Sequence, residues 1–203
     1  MEKNKQDLKT KLLPLILSVA VIILDQLSKF LVVRFIPRLS FPYTEGIIPV
    51  LGDALRLIHV RNNAVAFSLG SSLPQNVRSV LFAFLPLIVI VLVYIIYFRN
   101  NDFTNLQRWS ICGILGGGIG NLIDRFLRPE GVVDFIDCVF FGSIKGVSWP
   151  VKGPLKWLSW ERWPTFNVAD SAVVVCGILF IISFIMQVAS DSRTNAKKET
   201  GRD

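Results

Sequence analysis

The chain has 203 residues, of which 52% are hydrophobic and 18% are charged, and its formal net charge is +7 at pH 7. Soluble domains are less apolar and more charged than this, so the composition predicts a membrane protein. The apolar runs leave no soluble basic domain, and the positive charge therefore favours membrane lipids over nucleic acid as partners. His59 is the only histidine, and the three cysteines have no Cys-x-x-Cys spacing, so we expect no metal site and no cofactor.

Four apolar segments approach the roughly 20 residues that a helix needs to span a bilayer. They cover about residues 12–34, 79–98, 109–127 and 170–189. The uncharged part of the third segment ends at Ile123, so its helix crosses only if it continues through Asp124 and Arg125. The sequence thus predicts an all-α membrane protein in which these two charged residues lie at the interface.

The connections and the charges predict a topology. The Lys-rich tail 1–11 favours a cytoplasmic N-terminus, and four spans then place the tail 190–203, which we expect to be disordered, in the cytoplasm too. The segments 35–78 and 128–169 lie outside, and residues 54–60 partly alternate as a half-buried strand does. We expect a single integral membrane domain covering 1–203, and we find no internal repeat.

Two aspartates stand at the outer edges of apolar segments. Asp134 follows the third span and Asp170 opens the fourth. An unpaired carboxylate near hydrocarbon is costly to ionise, whereas two carboxyl groups at one place share a proton, as in aspartic proteases. Taken alone, Asp170 could equally cap the fourth helix together with Asn167.

Other polar and small residues have structural interpretations. Asp25 and Lys29 are spaced i, i+4 on the first helix, which favours a supporting ion pair. Gly116 and Gly120 lie four residues apart, which predicts close packing of the third helix on the fourth. For Arg125 the residues leave open a carboxylate, a lipid phosphate or a peptide carbonyl as its partner.

The chain resembles the bacterial lipoprotein signal peptidase family, signal peptidase II, over nearly its whole length. Five motifs in order carry the resemblance: Asp25-Gln-Leu-Ser-Lys29, Arg61-Asn62-Asn-Ala-Val-Ala-Phe67, Gly116-Gly-Gly-Ile-Gly-Asn-Leu-Ile-Asp-Arg125, Val132-Val-Asp-Phe135 and Phe166-Asn-Val-Ala-Asp170. Two features depart from the family pattern. Ala64 stands where a glycine is usual, and the stretch 137–165 is long, with tryptophans and lysines that indicate either an interfacial segment or a small aromatic core.

The resemblance implies four transmembrane helices with cytoplasmic termini and a small extramembrane β-cradle on the outer side. It implies a multi-pass enzyme of the bacterial cytoplasmic (inner) membrane, with its active site at the outer leaflet interface. The substrate is a prolipoprotein that is cut just before its diacylglyceryl-modified cysteine, and globomycin inhibits the enzyme. We also expect a monomer.

The site residues follow from the same resemblance. It places the catalytic pair on Asp134 and Asp170. The supporting or substrate-binding positions match Asn62, Asn121, Asp124, Arg125, Asn167, Asp25 and Lys29.

Two functions of other classes are alternatives. One is a small transporter or channel component, although four spans are few for a transporter. The other is a serine–lysine membrane peptidase built on Lys29, for which no serine has a supporting pattern.

Overall fold

The computed structural model describes residues 8–40, 45–62, 75–139 and 162–199. Ala64 and most of the long stretch 137–165 lie outside these residues. The described residues form five α-helices and three β-strands. In chain order these are α1 (Leu8–Leu12), α2 (Leu15–Phe35), β1 (Ile48–Pro49), β2 (Leu55–Asn62), α3 (Gln75–Arg99), α4 (Asn105–Leu127), β3 (Val132–Cys138) and α5 (Val168–Glu199).

The four long helices account for most of the described chain. The shortest, α2, has 21 residues, and 21 residues of helix extend about 31 Å, enough to cross a bilayer. Within the described residues, two helices are both long and apolar enough to cross, Leu8–Phe35 and Val168–Thr194, and Phe84–Arg99 is a shorter apolar helix. The expected mostly helical membrane-type fold with a small sheet is confirmed, and the four spans stay a prediction.

The end of α5 corrects one expectation. We expected the tail after Ser190 to be disordered, but α5 continues to Glu199. The end of the fourth span near residue 189 stays a prediction. Residues 190–199 contain neither glycine nor proline and include the good helix formers Ala196, Lys197 and Lys198. The helix therefore continues past its apolar part into a polar extension.

The chain forms two compact units. The helical unit contains Met1–Ile23, Ala83–Leu122 and Ala169–Asp203. The sheet unit contains Leu24–Phe82 and Ile123–Val168.

Glycines of α4 set the helix packing in the helical unit. A Cβ on Gly113 would overlap Cys176 of α5, and a Cβ on Gly117 would overlap the carbonyl oxygen of Ala169. Gly116 faces α2 instead, because a Cβ there would lie 2.8 Å from the carbonyl oxygen of Ser18. The prediction that Gly116 brings the third helix onto the fourth is therefore wrong. One residue turns a helix by about 100°, so Gly116 and Gly117 serve different neighbours.

The sheet unit is built on an antiparallel sheet of order β1-β2-β3. The strand predicted over residues 54–60 is confirmed as β2. Its register with β3 shifts by one residue between Leu57 and Val60, which marks a β-bulge. On its other side β3 contacts the segment before α5 through the bridge Ile136↔Phe166, and Val139, just after β3, forms a bridge with Arg162. The middle of β3 is therefore held from both sides.

Gly117→Ala should lower the free energy of unfolding by about 1–3 kcal/mol, because the added methyl group meets backbone that cannot move away. Gly118→Ala is the matched control, since its Cβ would only touch the tip of Ile90 at 3.4 Å. The measurement is the thermal unfolding midpoint of both variants in detergent. Equal midpoints would contradict the close α4–α5 contact.

Candidate active site

Asp134 lies on β3, is 3% exposed and pairs with Val60 across the sheet. Its Oδ2 accepts a hydrogen bond from Asn62 Nδ2 at 2.9 Å. Its Oδ1 accepts one from Asn167 Nδ2 at 2.7 Å. Each carboxylate oxygen of Asp134 thus receives an amide N–H, which compensates the loss of water around a buried charge.

Backbone pairing brings Asn167 to Asp134. The carbonyl oxygen of Phe166 accepts the N–H groups of Phe135 at 3.0 Å and Ile136 at 2.8 Å, and the Phe166 N–H returns a bond to Ile136 O at 3.1 Å. Asn167 is the next residue and is fully buried. It stands immediately before α5, at the N-cap position, which favours asparagine.

Asp170 lies in the first turn of α5 and is half-buried. Its Oδ1 accepts a hydrogen bond from Asn121 Nδ2 of α4 at 2.7 Å. One turn earlier on α4, Gly117 packs against Ala169. Close packing and an amide donor from the same helix therefore fix Asp170 within the helical unit.

A buried ionic network lies in the sheet unit. The Lys29 ammonium is 2.8 Å from Asp25 Oδ2 and 3.1 Å from Asp124 Oδ2, and all three side chains are inaccessible to solvent. Arg128 pairs with Asp124 Oδ1. Two carboxylates thus face two cations, so the charges balance where unpaired ones would be costly.

The network also holds the backbone beside Asp134. Asp124 Oδ2 accepts the N–H of Val133 at 3.0 Å, one residue before Asp134. Gln26 Nε2 donates to Asp124 Oδ1 at 3.2 Å and to Asp25 Oδ2 at 3.1 Å. We infer that this network positions the start of β3.

The structure thus gathers the predicted site residues into three groups. Asn62, Asp134 and Asn167 meet in the sheet unit, Asn121 and Asp170 meet in the helical unit, and the Asp25–Lys29 ion pair extends to Asp124. Arg125 lies half-buried in the last turn of α4. Within the described residues, no group of three or more His, Cys, Asp or Glu side chains could hold a metal ion.

The sequence analysis missed the parts played by Gln26 and Arg128. Arg128 lies four residues after Asp124, a spacing that pairs side chains on a helix. That spacing was a usable signal, but α4 ends at Leu127, so the pair crosses the helix end. For Gln26, which follows Asp25 directly, no spacing rule indicates a contact with α4.

Residues 17–186 match the model of the family described as signal peptidase (SPase) II. The chain belongs to this family. The membership confirms the family and the aspartic-type peptidase activity that the sequence predicts.

Curated relatives agree with the match. The chain is 45% identical over 193 residues to the lipoprotein signal peptidase of Treponema pallidum, a match that covers 95% of this chain and 94% of that protein. It is 44% identical over 184 residues to the lipoprotein signal peptidase of Treponema denticola, with 91% and 93% covered.

Two solved structures share the fold. Both are described as bacterial membrane enzymes, and each is 23% identical in sequence to this signal peptidase. The first has a TM-score of 0.66 and covers 90% of this chain and 92% of its own, and the second has a TM-score of 0.62 with 87% and 93% covered. At this identity the likeness supports the fold alone.

An arginine clamp holds the far end of β3 in this signal peptidase. Asp137 Oδ2 accepts bonds from Arg56 Nε at 2.8 Å and Nη2 at 2.6 Å, and Oδ1 accepts one from Arg162 Nε at 2.7 Å. Burial alone would raise the pKa of Asp137, but the bonds and charges of Arg162 and Arg56 outweigh it. The pKa therefore lies below its usual value of 3.8.

Asp137→Asn should lower the free energy of unfolding by about 1–3 kcal/mol near neutral pH, because two arginines lose their shared acceptor. The folded state lowers this pKa, so the clamp contributes fully above pH 3.8 and is lost as the pH falls through the folded-state pKa. Chemical unfolding as a function of pH measures the difference between variant and wild type. The difference should shrink below pH 3.8.

Asp53→Asn is the control for this experiment. Asp53 also pairs with Arg56, at 3.2 Å, but its side chain is 87% exposed, so its removal should change stability little. A stability difference for Asp137→Asn that stays constant with pH would contradict the clamp.

Proposed function

We propose that this member of the signal peptidase II family removes signal peptides from prolipoproteins with Asp134 and Asp170 as its catalytic pair. The hydrogen bond from Asn167 to Asp134 carries the proposal, because Asp170 follows Asn167 by only three residues. Three residues of helix advance about 4.5 Å. Chain connectivity therefore keeps Asp170 within one helical turn of Asn167.

The two amide donors of Asp134 favour the role of general base for this residue. Both oxygens of Asp134 accept an amide N–H, an arrangement that stabilises the ionised form. Two adjacent carboxyl groups in a low dielectric share one proton, so an ionised Asp134 leaves that proton on Asp170. We assign the general base to Asp134 and the general acid to Asp170.

The reaction then proceeds by direct attack of water. Ionised Asp134 takes a proton from a water molecule, whose oxygen attacks the scissile carbonyl carbon, while Asp170 protonates the carbonyl oxygen. In the collapse of the tetrahedral intermediate, Asp134 gives its proton to the leaving nitrogen and Asp170 takes back a hydroxyl proton. The C–N bond breaks, and the pair returns to its starting state without a cofactor.

The proposal also covers the substrate and the membrane topology. The enzyme cuts just before a diacylglyceryl-modified cysteine, at the outer leaflet of the bacterial cytoplasmic membrane. Four helices span the membrane, with both termini in the cytoplasm. The apolar faces of α2 and α5 support contact with lipid, since Ile16 is 61% exposed and Met186 is 64% exposed. The protein works as a monomer, and globomycin inhibits it.

The ionic network counts against the serine–lysine alternative. Lys29 is fully buried between Asp25 and Asp124, so it is not available to activate a serine. The Ser28 hydroxyl donates to the backbone oxygen of Asp25 at 2.8 Å. No contact in the described residues favours a serine nucleophile near Lys29.

Asp134→Asn and Asp170→Asn should each lower the cleavage rate by roughly 100-fold to 10,000-fold, because each removes one half of the proton transfer. The measurement is cleavage of a diacylglyceryl-modified prolipoprotein by purified enzyme in detergent. Globomycin should inhibit the wild type in the same assay.

Asp137→Asn is the matched control, because it removes another buried carboxylate from the same strand. Its folded fraction should cleave at nearly the wild-type rate. Normal cleavage by either Asp134→Asn or Asp170→Asn would overturn the proposed pair.

A further inference from the structure

Arg61 is a buried arginine for which the proposed mechanism has no use. It lies on β2 opposite Val133, next to Asn62, and its side chain is 9% exposed. Its Nε and Nη1 are buried and have no hydrogen-bond partner among the described residues. Buried N–H groups of a charged side chain are costly to leave unsatisfied, so the Arg61 guanidinium is suited to bind a ligand that accepts hydrogen bonds.

The nearest carboxylate does not satisfy Arg61. Glu130 Oε2 is 3.7 Å from Arg61 Nε and 3.8 Å from Arg38 Nη1, and both distances exceed those of hydrogen bonds. The Glu130 side chain is 61% exposed. A weakly held, exposed carboxylate is easily displaced by a better acceptor.

The surroundings of Arg61 carry an excess of positive charge. Burial lowers the pKa of Arg61, Glu130 raises it, and the charges of Arg128 and Arg38 lower it further, while Asp124 opposes them. Asp124 is already paired with Arg128. Three arginines therefore face two carboxylates, and the arrangement favours one more anion.

His59 adds a second unsatisfied polar atom beside the same charges. Its Nδ1 donates to the carbonyl oxygen of Ile36 at 3.0 Å, whereas its Nε2 is buried without a partner in the part of the chain that the structure describes. Burial lowers the pKa of His59, the bond to Ile36 raises it, and the charges of Arg61 and Arg38 lower it. His59 and Arg61 lie two residues apart on β2. Neutral His59 can accept a proton from an acidic ligand, and protonated His59 can donate one.

We propose that Arg61, Arg38 and His59 form a binding site for a phosphate group, at which Glu130 occupies the position of the anion. A guanidinium group binds phosphate oxygens through two parallel N–H donors. A tetrahedral phosphate has further oxygens that can accept hydrogen bonds from a second arginine. The single Glu130 oxygen lies 3.7 Å from Arg61 Nε and 3.8 Å from Arg38 Nη1, too far to accept a hydrogen bond from either. The phosphate belongs either to a phospholipid head group, a source that rests on the proposed membrane topology, or to free inorganic phosphate, which does not.

Two variants with opposite expected signs test the site. Arg61→Gln should weaken phosphate binding by roughly tenfold or more, because it removes charge-assisted donors. Glu130→Gln should strengthen it by roughly tenfold, because it removes the competing carboxylate. A purely structural Arg61–Glu130 pair predicts no gain in binding for Glu130→Gln. Since Glu130 is exposed, this variant also decides the matter if Arg61→Gln does not fold.

Arg56→Gln is the matched control. It removes one positive charge from the same strand, but that guanidinium already binds Asp137. The affinity for phosphate should therefore stay within about twofold of the wild type, because the removed charge is not at the proposed site and salt screens its effect.

The full chain, purified in an uncharged detergent, is titrated with inorganic phosphate, with phosphatidylglycerol and with diacylglycerol of the same acyl chains. Bound ligand is counted by native mass spectrometry. Binding of phosphatidylglycerol but neither inorganic phosphate nor diacylglycerol assigns the site to a lipid head group, and binding of inorganic phosphate assigns it to free phosphate. Equal binding of diacylglycerol and phosphatidylglycerol without phosphate binding, unchanged binding by Arg61→Gln, or no gain with Glu130→Gln would each overturn the proposal.

Discussion

The sheet unit depends on one buried cation, Lys29, which lies between Asp25 and Asp124 without access to solvent. Removing any one partner would leave an unpaired charge in a low dielectric, at a cost of about 3–5 kcal/mol. Each member of the network therefore contributes to the stability of the sheet unit. The network joins the C-terminal half of α2 to the last turns of α4, and through Asp124 it reaches the N–H of Val133.

The two candidate catalytic residues, Asp134 and Asp170, are each held in place by neighbouring elements. β3 carries Asp134 between the bulged strand β2 on one side and the Phe166 segment on the other. The helical unit positions Asp170 differently, through the close approach of Gly117 to α5 and the amide of Asn121. In both units, an amide side chain donates a hydrogen bond to a carboxylate that we propose exchanges a proton. Such rigid support is what an acid–base pair needs, since small misplacements slow proton transfer strongly.

Much of this arrangement could be predicted from local rules. The spacing of Asp25 and Lys29 predicted their ion pair, and the alternation of residues 54–60 predicted β2. The five ordered motifs predicted the family. These features depend on residues that are close in sequence or on a pattern that recurs among relatives.

The remaining features depend on which neighbour each side chain faces, and the sequence does not show this. Two glycines four residues apart, such as Gly116 and Gly120, predict close packing but not which neighbour is approached. In the structure Gly116 and Gly117 face different helices. Asp124 and Arg128 pair across the end of α4, where helical spacing of four residues no longer predicts which side chains meet. The unsatisfied atoms of Arg61 become visible only when burial and distances are known.

The central claim is that Asp124 positions β3, which carries Asp134, in addition to balancing the charge of Lys29. The most direct test compares kcat and KM of Asp124→Ala and Asp25→Ala in cleavage of a diacylglyceryl-modified prolipoprotein. Both variants remove one carboxylate from Lys29, but only Asp124 also bonds Val133. The account predicts similar losses of stability, with kcat of the folded enzyme falling by roughly 100-fold only for Asp124→Ala and KM nearly unchanged. Equal kcat values for the two folded variants would contradict it.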